Sequence, residues 1–405
     1  MRRSPAPVAR PEAELLLCCA RTCLDAAAAA RIRTLLREAI DWDGLVRTAR
    51  RHAVTPQLYQ SLLSACPDVV PQNVLGQLRD QFHANAARNL ILTGELLRLL
   101  ALFEANGIRA MPFKGPVLAA AAYGDLSLRQ FWDLDILVFR HDVLRIRDLL
   151  VRERYRPQFE IGGRQAAAYL RSQCELLLTR DEGRSVVEAH WEVTPRYFCF
   201  PLDPERLWER RKRTSLEGKE VLTLSPEDLL LILCAHGTKH LWERLGWVRD
   251  VAALIGAHQA TDWHQLVDRA GRLGGRRMLL LGVSLARELL GASLPEEMVR
   301  QVDADPAIRS LAGEVRSRLL HGRKGSPTLM ESCLFHLRAR ERLRDRIRYC
   351  VRLAVTTTPG DWALLPLPAP LFPVYSLLRP MRLAAKYGLG AVRRLRRVRR
   401  PGPAA

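Results

Sequence analysis

The feature that most constrains the fold is a short β-rich segment inside a chain whose other patterns are helical. Residues 108–113 and 133–139 have the branched or alternating composition of strands. Residues 174–179 and 185–193 flank a turn at 181–183, which predicts a hairpin. About four strands therefore form a small mixed sheet, and helices must supply the remaining core. We expect an α+β fold with this sheet between N- and C-terminal helical regions.

Helical periodicity and its stop signals divide the chain. A helical pattern covers residues 12–100 and ends at Asn106-Gly107, where glycine favours termination. A second helical region opens with the cap residue Ser225 and Pro226 and continues to about Arg352. Four segments follow: an N-terminal helical region (1–105), the mixed-sheet core (106–205), a C-terminal helical domain (206–355), and a proline-rich segment with a basic tail (356–405).

Cysteine usage and hydropathy indicate the cellular compartment. The nine cysteines are irregularly spaced and include no C-x-x-C pair, which favours reduced thiols over a disulfide framework or zinc knuckles. No run of about 18 uncharged apolar residues occurs, so no spanning helix is predicted. The apolar run at 15–20 is short and follows Glu12 and Glu14, which favours a first helix over a signal peptide. We expect a cytoplasmic protein.

Positive charge is concentrated near the C-terminus. Residues 379–400 contain nine basic residues and no acid, in a chain whose net charge is +20. Val392, Leu395 and Val398 recur between arginines at helical spacing, as in a helix that docks on an anionic membrane surface or on RNA. A solvated tail explains the pattern equally well. Peripheral attachment to the inner membrane surface is therefore an alternative to a purely cytoplasmic location.

The most informative local motif is an acid pair in the second predicted strand. Asp133 and Asp135 lie on one strand face, roughly 7 Å apart, while the intervening aliphatic residues face the core. Carboxylates so placed can share divalent cations such as Mg²⁺ or Mn²⁺. A two-metal site needs a third carboxylate, and Glu188 offers one on a later strand of the same unit. Acid-x-acid triplets also arise by chance, so a polar strand face is the simpler alternative for the pair alone.

A predicted strand-to-helix turn, Lys114-Gly115-Pro116, precedes the acid pair. Glycine permits close backbone approach, a helix N-terminus attracts anions, and Lys114 adds a point charge beside a phosphate. Arg129 could also reach a phosphate, and Ser127 could donate a hydrogen bond to it. Taken alone, Arg129 is more simply one further arginine in an arginine-rich chain.

A pair of histidines lies in the second helical region. His236 and His240 are four residues apart, so a helix places them on one face. Gly237 stands where zinc proteases have their general base, which excludes that class. An ordinary polar helix face and a cleft-lining cluster with Lys239 and Asp250 both remain open. His190 is more simply a structural, hydrogen-bonded residue than a base.

The order of these motifs resembles the uncharacterised nucleotidyltransferase family, a branch of the DNA polymerase β-like nucleotidyltransferase superfamily. The matching pattern is a strand, Lys-Gly, a helix, Tyr-Gly-Asp at 123–125, Arg129, the Asp-x-Asp pair and an acid-x-His-Trp strand at 188–191. Further matches cover most of the chain: Asp41-Trp42, 52–56, 225–228, 236–240, Trp247, Asp250, 358–362 and 378–380.

The resemblance implies transfer of a nucleoside monophosphate from an NTP, such as ATP, to an acceptor hydroxyl or phosphate, with release of pyrophosphate. Asp133, Asp135 and Glu188 would be both the catalytic and the metal-binding acids, with Mg²⁺ or Mn²⁺ as the cofactor. The Gly-Ser turn of the wider superfamily is replaced here by Lys-Gly-Pro. The residues expected to bind the nucleotide are Lys114, Gly115, Ser127, Arg129, His236, Lys239 and His240.

Two other functions remain open from the sequence. The chain could bind nucleotide without turnover, because the serine of the phosphate-binding turn is missing. It could instead dock on a membrane or on RNA, with the basic stretch at 379–400 as its principal contact. The sequence indicates neither the acceptor nor the base of the NTP.

Overall fold

The computed structural model describes residues 10–159, 163–321, 325, 327–358, 361 and 372–383. Helices dominate this part of the chain, which also contains a mixed sheet of five strands and a separate two-stranded hairpin. Helical regions precede and follow the sheet along the chain. The predicted α+β class is therefore confirmed.

Five helices precede the sheet, and aspartates cap two of them. The side chain of Asp25 accepts a hydrogen bond from the Ala28 N–H at 2.6 Å, and that of Asp41 accepts one from the Gly44 N–H at 2.9 Å. The helices are α1 (Pro11–Cys19), α2 (Ala26–Leu35), α3 (Trp42–Arg51), α4 (Thr55–Ala65) and the 34-residue α5 (Gln72–Ala105).

The five-stranded sheet has the order β1-β2-β5-β4-β3, in which only β2 and β5 are parallel. All four predicted strands are present, although the last ends at His190, and the two-residue β3 is an addition. The strands are β1 (Ala110–Pro112), β2 (Leu134–Val138), β3 (Arg156–Pro157), β4 (Glu175–Arg180) and β5 (Ser185–His190). Three helices interrupt them: α6 (Gly115–Leu118), α7 (Val143–Arg152) and α8 (Gly163–Ser172).

The sheet joins two hydrophobic cores. Ile136 and Val187 pack with α5 and α7, through residues such as Phe103 and Ile146. Leu137, on the opposite face of β2 from Ile136, belongs to the second core, which the N- and C-terminal helices share. Burial on both faces explains why four of the five residues of β2 are hydrophobic, with Asp135 as the exception.

A hairpin not predicted from the sequence lies inside the segment that we assigned to the C-terminal helical domain. After helix α9 (Pro204–Glu209), strands β6 (Lys212–Leu216) and β7 (Lys219–Thr223) pair around a turn at Glu217-Gly218. Both turn residues have positive φ, as a two-residue hairpin turn requires. The Thr223 Oγ1 donates to the Pro112 carbonyl at 2.8 Å, which attaches the hairpin to β1.

The C-terminal helices begin at the predicted cap, because Ser225 accepts a hydrogen bond from the Asp228 N–H at its side chain. They are α10 (Pro226–Lys239), α11 (Leu245–Ala257), α12 (Trp263–Arg272), α13 (Arg276–Leu290), α14 (Glu296–Asp303), α15 (Pro306–His321), α16 (Leu329–Arg338), α17 (Leu343–Val355) and α18 (Phe372–Leu383). Helix α13 is buried along most of its length and packs against α10, α11, α12, α14 and α15. Helices from both ends of the chain share one hydrophobic core. The four segment boundaries given above remain a prediction.

The basic stretch at 379–400 lies mostly outside the described residues. Its first two arginines are described, and both pair with Asp361: Arg379 at 2.5 Å and Arg382 at 2.7 Å. These two charges are therefore engaged within the protein. None of the helices in the described part of the chain combines the length and hydropathy of a membrane span.

Two buried histidines join elements that are distant in the sequence. The His52 carbonyl accepts the Gly246 N–H at 2.8 Å, and Gly246 has no room for a side chain because a Cβ would lie 2.9 Å from that oxygen. His336 bridges the Tyr349 hydroxyl at 2.9 Å and the Lys239 carbonyl at 3.0 Å. Burial, reinforced by the positive charges of Arg51 and Arg340 respectively, lowers the pKa of each histidine to about 4.

We expect the free energy of unfolding to fall as the pH is lowered from 6.5 to about 4. In this range His52 and His336 bind protons in the unfolded chain but stay largely neutral in the folded protein. Each histidine should contribute about 2–3 kcal/mol to that loss. The measurement is urea unfolding at pH 7 and pH 5 for wild type and for His52→Asn. The free energy of unfolding should differ less between pH 7 and pH 5 in the variant than in wild type.

His264, whose side chain is 89% exposed, provides the matched control for this titration. His264→Asn should leave the pH dependence unchanged. An unchanged pH dependence in His52→Asn would contradict the assignment.

Candidate active site

Two neighbouring strands bring carboxylates together at the centre of the sheet. In the parallel β2–β5 pair, Asp135 lies directly opposite Glu188. Asp135 is buried, and Glu188 is partly buried. Asp133 is located one residue before β2 begins and lines the same cavity as Asp135. The structure thus gathers the three acids that the sequence singled out at one region of the sheet.

His190 lies among these acids. Its Nε2 is 3.2 Å from Asp135 Oδ1 and 3.3 Å from Glu188 Oε2, and its Nδ1 is 3.3 Å from Glu175 Oε2. Burial acts to lower the pKa of His190, but the three carboxylates outweigh it and raise the pKa to about 9. The imidazole is therefore a cation at neutral pH in the metal-free protein.

Lys114 supplies the second positive charge. Its Nζ donates to Asp135 Oδ1 at 2.8 Å, and only 13% of its side chain is exposed. Burial would lower the pKa of Lys114, yet the charge of Asp135, with smaller contributions from Asp133 and Glu188, raises it. Burial also opposes ionisation of Asp135, but Lys114 and His190 hold the pKa of that carboxyl well below its usual range. Asp135 is consequently ionised and sits between two cations.

Asp133 has the opposite electrostatic environment. Burial and the neighbouring charges of Asp135 and Glu188 raise its pKa to about 6. The turn that carries Lys114 packs closely here, since a Cβ on Gly115 would lie 3.2 Å from the Asp133 carbonyl oxygen. Gly115 also has φ +54°, a conformation that favours glycine. The Lys-Gly turn and the acid pair are thus built as one unit.

Arg129 makes a bidentate ion pair with Asp250 on α11. Its Nε and Nη2 donate to the two carboxylate oxygens at 2.8 and 2.9 Å, and the Tyr123 hydroxyl donates to Oδ1 at 2.7 Å. Its Nη1 points toward the Gly115 carbonyl at 3.4 Å. Arg129 therefore ties the loop before β2 to the C-terminal helices and reaches the Lys-Gly turn from the other side.

Three amide side chains from the N-terminal helices hold the same loop. Asn89 on α5 donates to the carbonyls of Leu126 and Arg129 at 2.6 and 2.7 Å. Asn85 donates to the Ser127 carbonyl at 2.8 Å, and Gln57 on α4 donates to a neighbouring loop carbonyl. The loop geometry is thus set by buried amides that have no periodic signal in the sequence.

The paired histidines lie at the C-terminal end of α10, where His236 lines the same cavity as Asp133 and Asp135. The ring centroids of His236 and His240 are 4.7 Å apart. They lie 5.2 and 5.3 Å, respectively, from the centroid of the Trp247 ring. Burial is the main cause that lowers the pKa of both, to about 3 for His240. Both histidines are therefore neutral near pH 7 and can exchange hydrogen bonds but provide no charge.

A cavity of about 100 Å³ is lined by Asp133, Asp135 and His236, and Glu188 is not among its described lining residues. The cavity is smaller than the roughly 300–1,000 Å³ typical of organic-ligand sites, so it suits ions or a phosphate group better than a whole nucleotide. Of the predicted nucleotide ligands, Lys114, Arg129 and His236 line it, whereas Gly115, Ser127, Lys239 and His240 are absent from the described lining. The lining residues are Ala53, Lys114, Tyr123, Arg129, Gln130, Phe131, Trp132, Asp133, Asp135, His236, Arg244, Gly246, Trp247 and Asp250.

The donor chemistry fits a divalent cation. Ligand atoms of Asp135, Glu188 and His190 all lie within 4.8 Å of one another. Carboxylate oxygens suit Mg²⁺ and Mn²⁺, and imidazole is also a ligand for first-row transition metals. This group differs from the predicted metal set in containing His190 and omitting Asp133.

The chain matches a known protein family over more than half of its length. The family model for uncharacterised nucleotidyltransferases matches residues 38–291, well over half of the sequence. The chain belongs to this family. The predicted resemblance is thereby confirmed, and membership supports nucleotidyl transfer as the general activity. No curated protein matches the chain.

Sequence reasoning missed several residues around the site. Glu175 could have been found from hairpin register, because it pairs directly with His190 across β4 and β5. The contacts of Asn85, Asn89 and Gln57 with the loop offered no comparable signal. Asp250 was noticed in a cluster with the histidines, but its bond to Arg129 spans 121 residues.

Replacing Glu175 by glutamine should lower the pKa of His190 from about 9 toward 6.5, because one of three neighbouring negative charges is lost. An NMR pH titration of the His190 ring in metal-free protein measures this directly. Glu182→Gln, an exposed change in the β4–β5 turn, is the control and should leave the titration unchanged. A His190 pKa that is equal in wild type and Glu175→Gln would contradict the electrostatic account.

Proposed function

We propose that this protein is a metal-dependent nucleotidyltransferase. It would transfer a nucleoside monophosphate from an NTP, such as ATP, to an acceptor hydroxyl or phosphate and release pyrophosphate. The proposal rests above all on the register of β2 and β5, which sets Asp135 beside Glu188 within a family of nucleotidyltransferases. Asp133, one residue before β2, completes the proposed catalytic set.

The three acids would hold Mg²⁺ or Mn²⁺, with His190 as a neighbouring ligand. Bound metal would neutralise the triphosphate and stabilise charge on the attacking and leaving oxygens. The protein's own contribution is to hold carboxylates in a buried site where their charge is ordinarily costly. Lys114 and His190 offset that cost in the metal-free state.

The proposed nucleotide ligands have different tasks. Lys114 lies beside the acids and is placed to contact a phosphate oxygen. Arg129, already bonded to Asp250, would orient the Lys-Gly turn through the Gly115 carbonyl. Neutral His236 lines the cavity and can hydrogen-bond a phosphate without adding charge. Ser127, Lys239 and His240 are outside the described lining of the 100 Å³ cavity, so any contact that they make with the nucleotide would lie beyond it.

Asp135→Asn should weaken Mn²⁺ binding about tenfold or more, because an ionised ligand becomes neutral. Thermal stabilisation by ATP with Mg²⁺ should be lost with it, since ligand binding raises the melting temperature by mass action. Electron paramagnetic resonance of free Mn²⁺ and a thermal scan make the two measurements. The exposed Asp148→Asn is the matched control.

Equal Mn²⁺ binding by Asp135→Asn and wild type would overturn the assigned metal site. Metal-dependent ATP binding without pyrophosphate release, across a broad set of acceptors, would instead favour the alternative of a nucleotide-binding protein without turnover. In any assay that shows turnover, Asp133→Asn should abolish product formation, and a variant that keeps wild-type turnover would contradict the proposed catalytic role of Asp133.

A second candidate function is docking on an anionic membrane surface, and helix α17 favours it over RNA. Leu343, Ile347 and Val351 recur every four residues and are 69%, 56% and 55% exposed. Arg344 and Arg348, exposed on the same helix, accompany this apolar row. Exposed apolar residues next to arginines are typical of helices that lie in a membrane interface. The basic residues beyond 383 would add attraction to anionic lipids.

Full-length protein should co-sediment with vesicles that contain phosphatidylglycerol and remain in solution with pure phosphatidylcholine vesicles. Ile347→Gln combined with Val351→Gln should reduce binding several-fold, because two apolar side chains that would enter the membrane interface are lost. Leu90→Gln, which removes an exposed leucine from α5, is the control. Equal sedimentation of the double variant and wild type, or binding to RNA alone, would contradict membrane docking.

A further inference from the structure

A second and larger concavity opens beside the acidic cavity. It encloses about 590 Å³ between α3, α5 and the loop before β2. We call it the arginine groove. Its lining residues are Arg47, Arg50, Arg51, Gln81, Ala84, Asn85, Arg88, Gln130 and Trp132. The lining thus includes four arginines and no acid.

The spacing of the three α3 arginines puts their side chains side by side, where one anionic ligand could contact all of them. Arg47, Arg50 and Arg51 lie at i, i+3 and i+4, on one exposed face of the helix. Within the described part of the chain, none of the three takes part in an ion pair. Like charges at this spacing destabilise a helix. The negative C-terminal end of α3 favours Arg50 and Arg51 there, but it does not explain why another helix adds a fourth arginine.

Arg88 of α5 is the fourth arginine, and it is held rigidly. Its Nη2 donates to Asn85 Oδ1 at 2.6 Å, and its guanidinium lies 5.2 Å from the centre of the Trp132 ring. Its Nε is buried without a hydrogen-bond partner among the described residues. A buried unpaired donor of a charged group is costly. Because this Nε is closed to solvent, an anionic ligand in the groove would stabilise the guanidinium through its charge.

The groove communicates with the acidic cavity. Gln130 and Trp132 line both spaces, and Trp132 immediately precedes Asp133. Gln130 is fixed because its side-chain carbonyl accepts the Thr55 N–H at 3.1 Å. A ligand whose anionic end occupies the groove can therefore extend past Trp132 toward the acids.

We propose that the arginine groove binds the phosphate end of the acceptor, a small phosphate-bearing molecule. Its role as acceptor rests on the proposed nucleotidyl transfer, whereas phosphate binding itself does not. Guanidinium groups match phosphate oxygens in bidentate geometry, and four arginines line this groove. The volume lies within the range for small organic ligands, which favours a small molecule over a nucleic acid.

Isothermal titration calorimetry with glycerol 3-phosphate and inorganic phosphate tests the groove without metal or NTP. Glycerol and sodium chloride at matched ionic strength are the reference titrants. Wild type should bind both phosphates, and Arg88→Gln and Arg50→Gln should each bind about tenfold more weakly. Arg33→Gln removes an exposed arginine from the last turn of α2 and is the matched control. Arg50→Gln keeps the test valid if Arg88→Gln fails to fold.

Asp133→Asn separates this inference from the proposed function. The variant should bind glycerol 3-phosphate as wild type does, even though its nucleotidyl transfer is lost. Absence of phosphate binding by wild type, or equal binding by Arg50→Gln and Arg33→Gln, would overturn the groove assignment. Single-stranded RNA that binds tightly and displaces phosphate from the groove would overturn the small-molecule class in favour of a nucleic acid.

Discussion

The site depends on how one buried carboxylate is kept charged. Asp135 lies in the middle of a sheet, where an isolated charge would be strongly disfavoured. Lys114 contacts it at 2.8 Å, and His190 approaches it at 3.2 Å. His190 is buried and Lys114 is mostly so, and the three groups form a compact charged cluster that loses stability if one member is removed. The turn before α6 and the end of β5 must therefore stay in register with β2.

The same cluster explains why helical regions on both sides of the sheet are needed. The loop that leads into β2 places Asp133, and it is anchored from α5 by the amide of Asn89. Arg129 anchors it from the other side through Asp250 on α11. A small sheet alone offers neither contact. The helices are therefore part of the site's construction as well as its hydrophobic support.

The sequence predicted those parts of the structure that depend on local pattern. Alternation identified β2 and β5 and put Asp133 and Asp135 on one strand face, whereas the β2–β5 register that sets Asp135 opposite Glu188 was not predicted. The β6–β7 hairpin was missed although its Glu-Gly turn is a local signal, because its strands are short, polar and flanked by helical patterns. The Arg129–Asp250 pair could not be derived, since it depends on how a loop and a helix meet in space. The role of Asn89 was equally hidden, because an amide within a helix has no periodicity of its own.

The distribution of charge also suggests an order for substrate binding. In the metal-free protein, Lys114 and His190 already balance the acids, so that cavity has little attraction for a free anion. The arginines of α3 are uncompensated within the described chain, and the groove they line is the larger space. An anion that approaches this face therefore meets a stronger field in the groove than at the acids. Divalent metal would reverse the balance at the acids by adding positive charge there. We therefore expect the groove to bind its ligand independently of metal, and the acidic cavity to accept a phosphate group of the NTP only together with metal.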